Sequence, residues 1–263
     1  MNEYPTSIGT ADATSIRLLG HDLAADLMGQ VTFGELAFWL VALRRPGRGE
    51  LRVFETVLVA LADHGFTPSS IAARLTLTGA PESMQGALAA GLLGGGSRFL
   101  GVTEDCGRFL ADALARCDGP LPLPDDEAGW DGLAEVAIRA QREAGRLVPG
   151  LGHPLHKGGD PRTPVLFKIA EEEGMLGSHL RLFSAVGRVH PMILGRTLPL
   201  NGAGVCGAAL ADLGFEPDML RGFALLARAA GLLGHLAEEM RRPAGPGIYR
   251  QTDREVVYLQ PRA

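Results

Sequence analysis

Between Pro149 and Arg162 the chain reads PGLGHPLHKGGDPR, and this loop gathers the side chains best suited to chemistry. His153 stands among glycines and prolines, Arg162 follows nine residues later, and His156 and Lys157 lie between them. A histidine exchanges a proton with a hydroxyl or ketone oxygen near neutral pH. A guanidinium clamps a carboxylate through two parallel hydrogen bonds. Such a set suits the making or breaking of a carbon–carbon bond beside an oxygen in a carboxylated substrate. His156 and Lys157 offer charge to phosphates, or belong to a solvated loop. His64, just before Gly65, is either a pocket residue or a helix cap favoured by the dipole. His235 lies inside an apolar helix and reads as site-lining or as a satisfied core histidine. Glu104 and Asp105 offer carboxylates, yet acids also suit the first turn of a helix. Arg74 and Arg98 are weaker anion contacts, and His21, His179 and His190 read as structural.

The elements that must position these groups are helical. Thr32 with Glu35 three residues later has the form of a capping box opening a helix through LAFWLVAL, which closes at Arg44-Arg45-Pro46. A second helix is expected over about 50–64, with Leu51, Phe54, Val57, Leu58 and Leu61 on one stripe and Gly65 past its end. Thr67-Pro68 starts a third. Pro81 opens a fourth, ending in the run Gly94-Gly95-Gly96. Further helices are expected near 103–116, up to Gly145, and near 164–173, 179–189, 204–213 and 218–241. The tail EVVYL is the only strand-like stretch, and no βαβ alternation appears. The fold class read from this pattern is all-α, in one domain, because the Pro-rich connector at 119–124 is too short to separate independent units.

Composition sets further bounds. A net charge of −5 without basic runs argues against a nucleic-acid face, so a polyanionic ligand must be met by a few placed cations. Cys106, Cys117 and Cys206 lack metal-like spacing and read as small apolar residues rather than a disulfide framework. No signal peptide and no apolar run of membrane-spanning length is visible, so the expected compartment is the cytoplasm. No phosphate-binding glycine motif, serine elbow or paired metal-ligand spacing occurs, so no metal is expected.

The loop resembles that of the citrate synthase superfamily, whose P-G-x-G-H segment precedes a D-P-R a few residues later. SIRLLGHDLAADLMGQVTFGELAFWLV, ALADHGFTPSS and ARAAGLLGHLAEEMRRPAGPGIY are similar to the family's opening, its A-D-H-G segment and its last long helix with the R-P turn. The reduced length is closest to the citryl-CoA lyase branch. The resemblance implies a large helical lobe with a smaller closing lobe at about 110–200, and a homodimer or higher homo-oligomer. It implies a CoA thioester as substrate or product, a di- or tricarboxylate, and no covalently bound cofactor. It assigns His153 to the substrate oxygen, Arg162 and Arg242 to carboxylates, and His64, His235 and Asn201 to the substrate pocket. Gly152, His156 and Lys157 fall to the CoA.

Two positions depart from that pattern. Citrate synthases carry a second catalytic histidine where Phe99 stands here, and an aspartate that exchanges the proton on the acetyl carbon where Ala203 stands. Glu104 or Asp105 would then have to substitute, or the chemistry or acyl group has changed, or the chain is a non-catalytic acyl-CoA-binding subunit of a hetero-oligomer.

Overall fold

The computed structural model describes residues 3–261. Eleven α-helices among these residues make the fold, after a five-residue π-helical turn at Leu23–Leu27: α1 (Phe33–Ala42), α2 (Arg48–Ala62), α3 (Pro68–Gly79), α4 (Met84–Leu100), α5 (Val102–Ala115), α6 (Glu127–Glu143), α7 (Arg162–Glu172), α8 (Ser178–Leu194), α9 (Gly202–Asp212), α10 (Pro217–Arg241) and α11 (Gly245–Glu255). The all-α expectation is met. No described helix is long and apolar enough to cross a membrane.

Local chemistry explains several boundaries. Thr32 Oγ1 accepts from the Glu35 N–H at 3.1 Å, opening α1, while the Glu35 carboxylate faces Arg45 at 3.9 Å. Gly65 takes φ +72°, the left-handed conformation expected past the end of α2. Pro68 occupies the first turn of α3. The backbone leaves helical geometry at Gly96 (φ 51°, ψ −166°), so α4 kinks within the glycine run and one short turn follows it. The helix expected to stop at Val189 instead continues through Pro191 to Leu194. His190 pins this end: its Nε2 accepts from the Leu198 N–H at 2.9 Å, so Nδ1 carries the proton and donates to the Val186 carbonyl at 3.0 Å.

Two expectations are corrected. The tail read as strand-like is the last residue of α11 followed by exposed irregular chain, because EVVYL finds no partner strand. The N-terminus instead forms a small antiparallel sheet of β1 (Gly9–Ala11), β2 (Ile16–Leu18) and β3 (His21–Asp22). Its first turn is built by Asp12, whose carboxylate accepts from the amides of Thr14 and Ser15, each at 2.8 Å. Those bonds, the Thr14 amide first, hold the Asp12 carboxyl at about 2.

The core centres on α9, which is buried on nearly every face and packs against α2, α5, α7, α8 and α10. Gly207 lets it approach α5 closely, since a Cβ there would overlap the Thr103 carbonyl oxygen. Phe38, Phe54, Phe215 and Phe223 form an aromatic cluster with ring centroids 4.5–5.9 Å apart. Cys106 and Cys206 are buried in this core, burial pushes both thiols up, and all three cysteines are free. A second, smaller core of Ala73, Leu77, Ala87, Leu232 and Leu236 joins α3, α4 and the end of α10. The α5–α9 crossing and the α2–α3 junction frame the cavity described next.

Candidate active site

A cavity of about 330 Å³ is walled by three short runs: His64 to Pro68 after α2, Arg98 to Thr103 at the α4–α5 junction, and Gly152 to Leu155 from the glycine loop. Leu61, Arg162, Asn201, Ala203, Ala224 and Arg228 complete it. The distant segments His64, His153 and Arg162 therefore meet, as their residue types require.

His153 is oriented by its own loop. Its Nδ1 accepts backbone N–H groups from Leu155 (3.1 Å) and His156 (3.0 Å). Two donors at Nδ1 leave the ring proton on Nε2, so His153 offers an N–H to an oxygen. Burial, then the neighbouring His156 and His64, hold its pKa below the ordinary value of 6.5. His64 lies 5.1 Å from the His153 ring, and burial followed by Arg162 lowers its pKa as well. Both shifts favour the neutral ring.

Arg162 opens α7 and is gripped from behind. Its Nε and Nη2 donate to the Asp160 carboxylate at 2.9 and 2.7 Å, and Nη1 donates to the Ala60 carbonyl at 3.0 Å. Asp160 also accepts from the Gly202 N–H at 2.7 Å. Burial alone would raise the Asp160 carboxyl, but the bonds from Arg162 and Gly202 hold it well below the usual range. Asn201 is spent on the scaffold: its amide donates to the Gly152 carbonyl at 2.8 Å and its oxygen caps α9 at Gly204.

Arg228, on α10, is the cation that sequence reading did not single out. It is 7% exposed, has no carboxylate within ion-pair distance among the described residues, and reaches only the Leu61 carbonyl at 3.3–3.4 Å. A buried unpaired guanidinium is costly, and burial lowers its pKa. An anionic ligand would supply the missing counter-charge. The signal was available, because Arg228 interrupts the buried stripe Leu220, Phe223, Ala224, Ala227 and Leu232.

The citrate synthase C-terminal domain family matches residues 27–252 of this chain. The chain belongs to the citrate synthase family. A solved citryl-CoA lyase from Hydrogenobacter thermophilus superimposes with a TM-score of 0.85 at 27% identity, covering 100% of this chain and 96% of that one. An ATP citrate lyase from Methanothrix soehngenii, solved with citrate and coenzyme A, gives a TM-score of 0.78 at 22% identity over 100% of this chain and 42% of that one. Among curated relatives, the Arabidopsis thaliana ATP-citrate synthase beta chain protein 2 is 24% identical over 225 residues, 80% of this chain. The chain spans about a third of the length of such curated relatives, 34% for this one.

In this member of the citrate synthase family Phe99 and Ala203 both line the cavity, and no Asp or Glu does. Glu104 is not in the wall: it is held by Arg108 at 3.0 Å and Arg221 at 2.7 Å. Asp105 lines an adjoining hollow that shares Val102, Gly152 and Asn201 with the cavity, and burial raises its carboxyl. His235 lies outside the cavity in a relay, donating Nε2–H to Asp63 (2.9 Å) and accepting at Nδ1 from Arg74 (3.1 Å). Arg242 follows α10 on the exposed surface, outside the cavity. Gly152 lines the wall, His156 stacks 4.3 Å from His153, and Lys157 lines a separate hollow behind. The nitrogens of His64, His153 and His156 lie within 4.8 Å of one another, a spacing that admits a metal ion. An ion at His153 Nε2 would move the proton to Nδ1, against two amide donors, so this geometry favours hydrogen bonding over ligation.

Proposed function

We propose that this citrate synthase family member binds a CoA thioester of a carboxylated 3-hydroxy acid, of the citryl-CoA kind. It breaks or forms the carbon–carbon bond between an acyl-CoA enolate and a 2-oxo acid. The observation that carries the reading is Arg228, buried without a counter-ion and lining one cavity with Arg162 and His153. Two guanidiniums suit two carboxylates, and the His153 Nε2–H suits the hydroxyl or oxo oxygen between them. In the cleavage direction the neutral His64 takes the hydroxyl proton, the bond breaks, and the enolate leaves on the thioester. The proton taken by His64 is then available to the enolate carbon, a step for which Ala203 offers no group. In this reading no covalent cofactor takes part, residues at about 110–200 act as the smaller closing lobe, and the working form is a cytoplasmic homodimer or higher homo-oligomer.

A second reading, a non-catalytic acyl-CoA-binding subunit of a hetero-oligomer, is favoured by one observation: the absence of Asp and Glu from the cavity wall. Incubation with citryl-CoA and a panel of 3-hydroxy-3-carboxyacyl-CoAs separates the two. Catalysis predicts acyl-CoA release that His153→Ala abolishes. Tight binding of the panel without release by the wild-type chain would replace the first reading with the second.

A further inference from the structure

Three imidazoles from two distant stretches of chain meet at the cavity: His64 after α2, and His153 and His156 in the glycine loop. The His153 and His156 rings are tilted by 31° with centroids 4.3 Å apart. His64 lies 5.1 Å from His153 and, edge-on, 5.5 Å from His156. His64 and His153 line the cavity, and His156 does not. Rings this close repel one another when charged, so they take up protons as a unit, the second only at markedly lower pH. The three are unequal hosts for the first proton. On His153 it would have to sit on Nδ1, which accepts the Leu155 and His156 amides at 3.1 and 3.0 Å, and both bonds would be lost. On His64 the charge would meet burial first, then the fields of Arg162 and Arg228. The His156 ring accepts no amide among the described residues and forms no part of the cavity wall. The charged groups around the cluster are Lys157, Asp160 and Arg162 on the same stretch of chain, Asp63 beside His64, and Arg228 on α10.

We propose that His156 is a positioning residue: it holds the one proton that the cluster carries in mild acid, and so keeps His64 and His153 uncharged. What those two rings then do rests on the reading above; where the proton sits does not. An uncharged His64 is able to take the hydroxyl proton of the substrate. An uncharged His153 keeps its Nε2–H as a donor while Nδ1 holds the loop. His156 itself makes and breaks no bond in the substrate, since it takes its proton from solvent and returns it there. The loop histidine thus acts toward its two neighbours rather than toward a CoA phosphate.

Long-range proton–nitrogen NMR of the whole chain, with a chelator present, reads the tautomer and protonation of each ring as the pH is lowered. His156 should gain its proton first, with His64 and His153 still neutral when it is half charged. His156→Gln removes the host but keeps the amide of residue 156, so His153 keeps its tautomer. In that variant the midpoint of His64 or His153 should rise by about one pH unit, a tenfold gain in proton affinity, and the acid limb of kcat/KM should rise with it. His156→Lys restores a positive charge and should return both toward their wild-type values. The proposal fails if His64 or His153 takes the first proton, or if the Gln variant leaves their midpoints in place. A rise that Lys does not reverse would assign the effect to lost packing rather than to charge, and would equally overturn it. A lower melting temperature at about pH 8, well above imidazole titration, with unmoved midpoints would make His156 merely structural. A wild-type chain that turns over none of the 3-hydroxy-3-carboxyacyl-CoAs would sink the reaction reading, while the NMR titration still decides the role of His156.

Discussion

Ala203 and Arg228 carry opposite lessons about single residues in this cavity. Alanine at the entrance to α9 leaves the wall without a carboxylate, so Ala203→Asp should raise citryl-CoA cleavage by roughly 10²-fold, a general acid–base contribution. Acetyl-CoA release measures it, and no gain would mean that more than this carboxylate is missing. Arg228→Met removes a buried cation that has no counter-ion. The variant should unfold at the same or higher urea concentration, yet bind citrate about 100-fold more weakly. A destabilised variant with unchanged affinity would contradict the role given to Arg228. The histidines predict a pH profile. Both His64 and His153 are held below 6.5, so the acid limb of kcat/KM, where His64 as imidazolium can no longer take a proton and His153 Nδ1 can no longer accept its two amides, should lie below pH 6.5. The loop PGLGHPLHKGGDPR displayed His153 and Arg162 openly, because a Gly/Pro-rich loop lets chemistry-bearing side chains stand out. Arg228 was less legible, since a lone charge in a long apolar helix reads first as a solvated edge.

At the scale of elements, helix starts and stops were readable wherever a cap, Pro or Gly marks them. Thr32, Gly65 and Pro68 all act as their types suggest. The N-terminal sheet was not readable, because strands of two or three half-exposed residues have no periodicity; only the Asp12–Thr14–Ser15 turn left a trace. The helix α11 was missed for a related reason: after the R-P turn its face is almost wholly exposed, so no apolar stripe announces it. The α5–α9 crossing yields a prediction that belongs to elements. Gly207→Ala puts a methyl group into the Thr103 carbonyl, and backbone cannot step aside as a side chain does. It should cost about 1–3 kcal/mol or somewhat more in urea unfolding. Because Thr103 and Ala203 frame the cavity from these two helices, ligand binding should fall with it.

Across the whole molecule, a buried charge network ties α3 to the end of α10 behind the cavity. Arg74, 1% exposed, bonds Glu239 at 2.9 Å, Glu238, and His235, which reaches Asp63 beside His64. Arg74→Met would leave Glu239 buried without its cation and should destabilise the chain by about 3–5 kcal/mol, measured by denaturant unfolding. Glu239 also gives a pH signature. Burial would raise its carboxyl, but the Gly245 and Ala244 amides and Arg74 together hold it below 4.5. A depressed carboxylate stabilises the fold above its unfolded value, so this contribution is present above pH 4.5 and is lost as pH falls through the lower folded value. The sequence by itself determined the helical class, the family and the identities of His64, His153 and Arg162, because periodicity, caps and a dense loop motif are local properties. Only the tertiary structure decided what those residues face. Which nitrogen of His153 carries the proton, that Glu104 is consumed by two arginines, that Asn201 is spent on the backbone, and that Arg228 is buried with no carboxylate in ion-pair reach among the described residues are facts of long-range packing. Hydrogen-bond satisfaction is settled by neighbours distant in the chain, and no spacing within it records them.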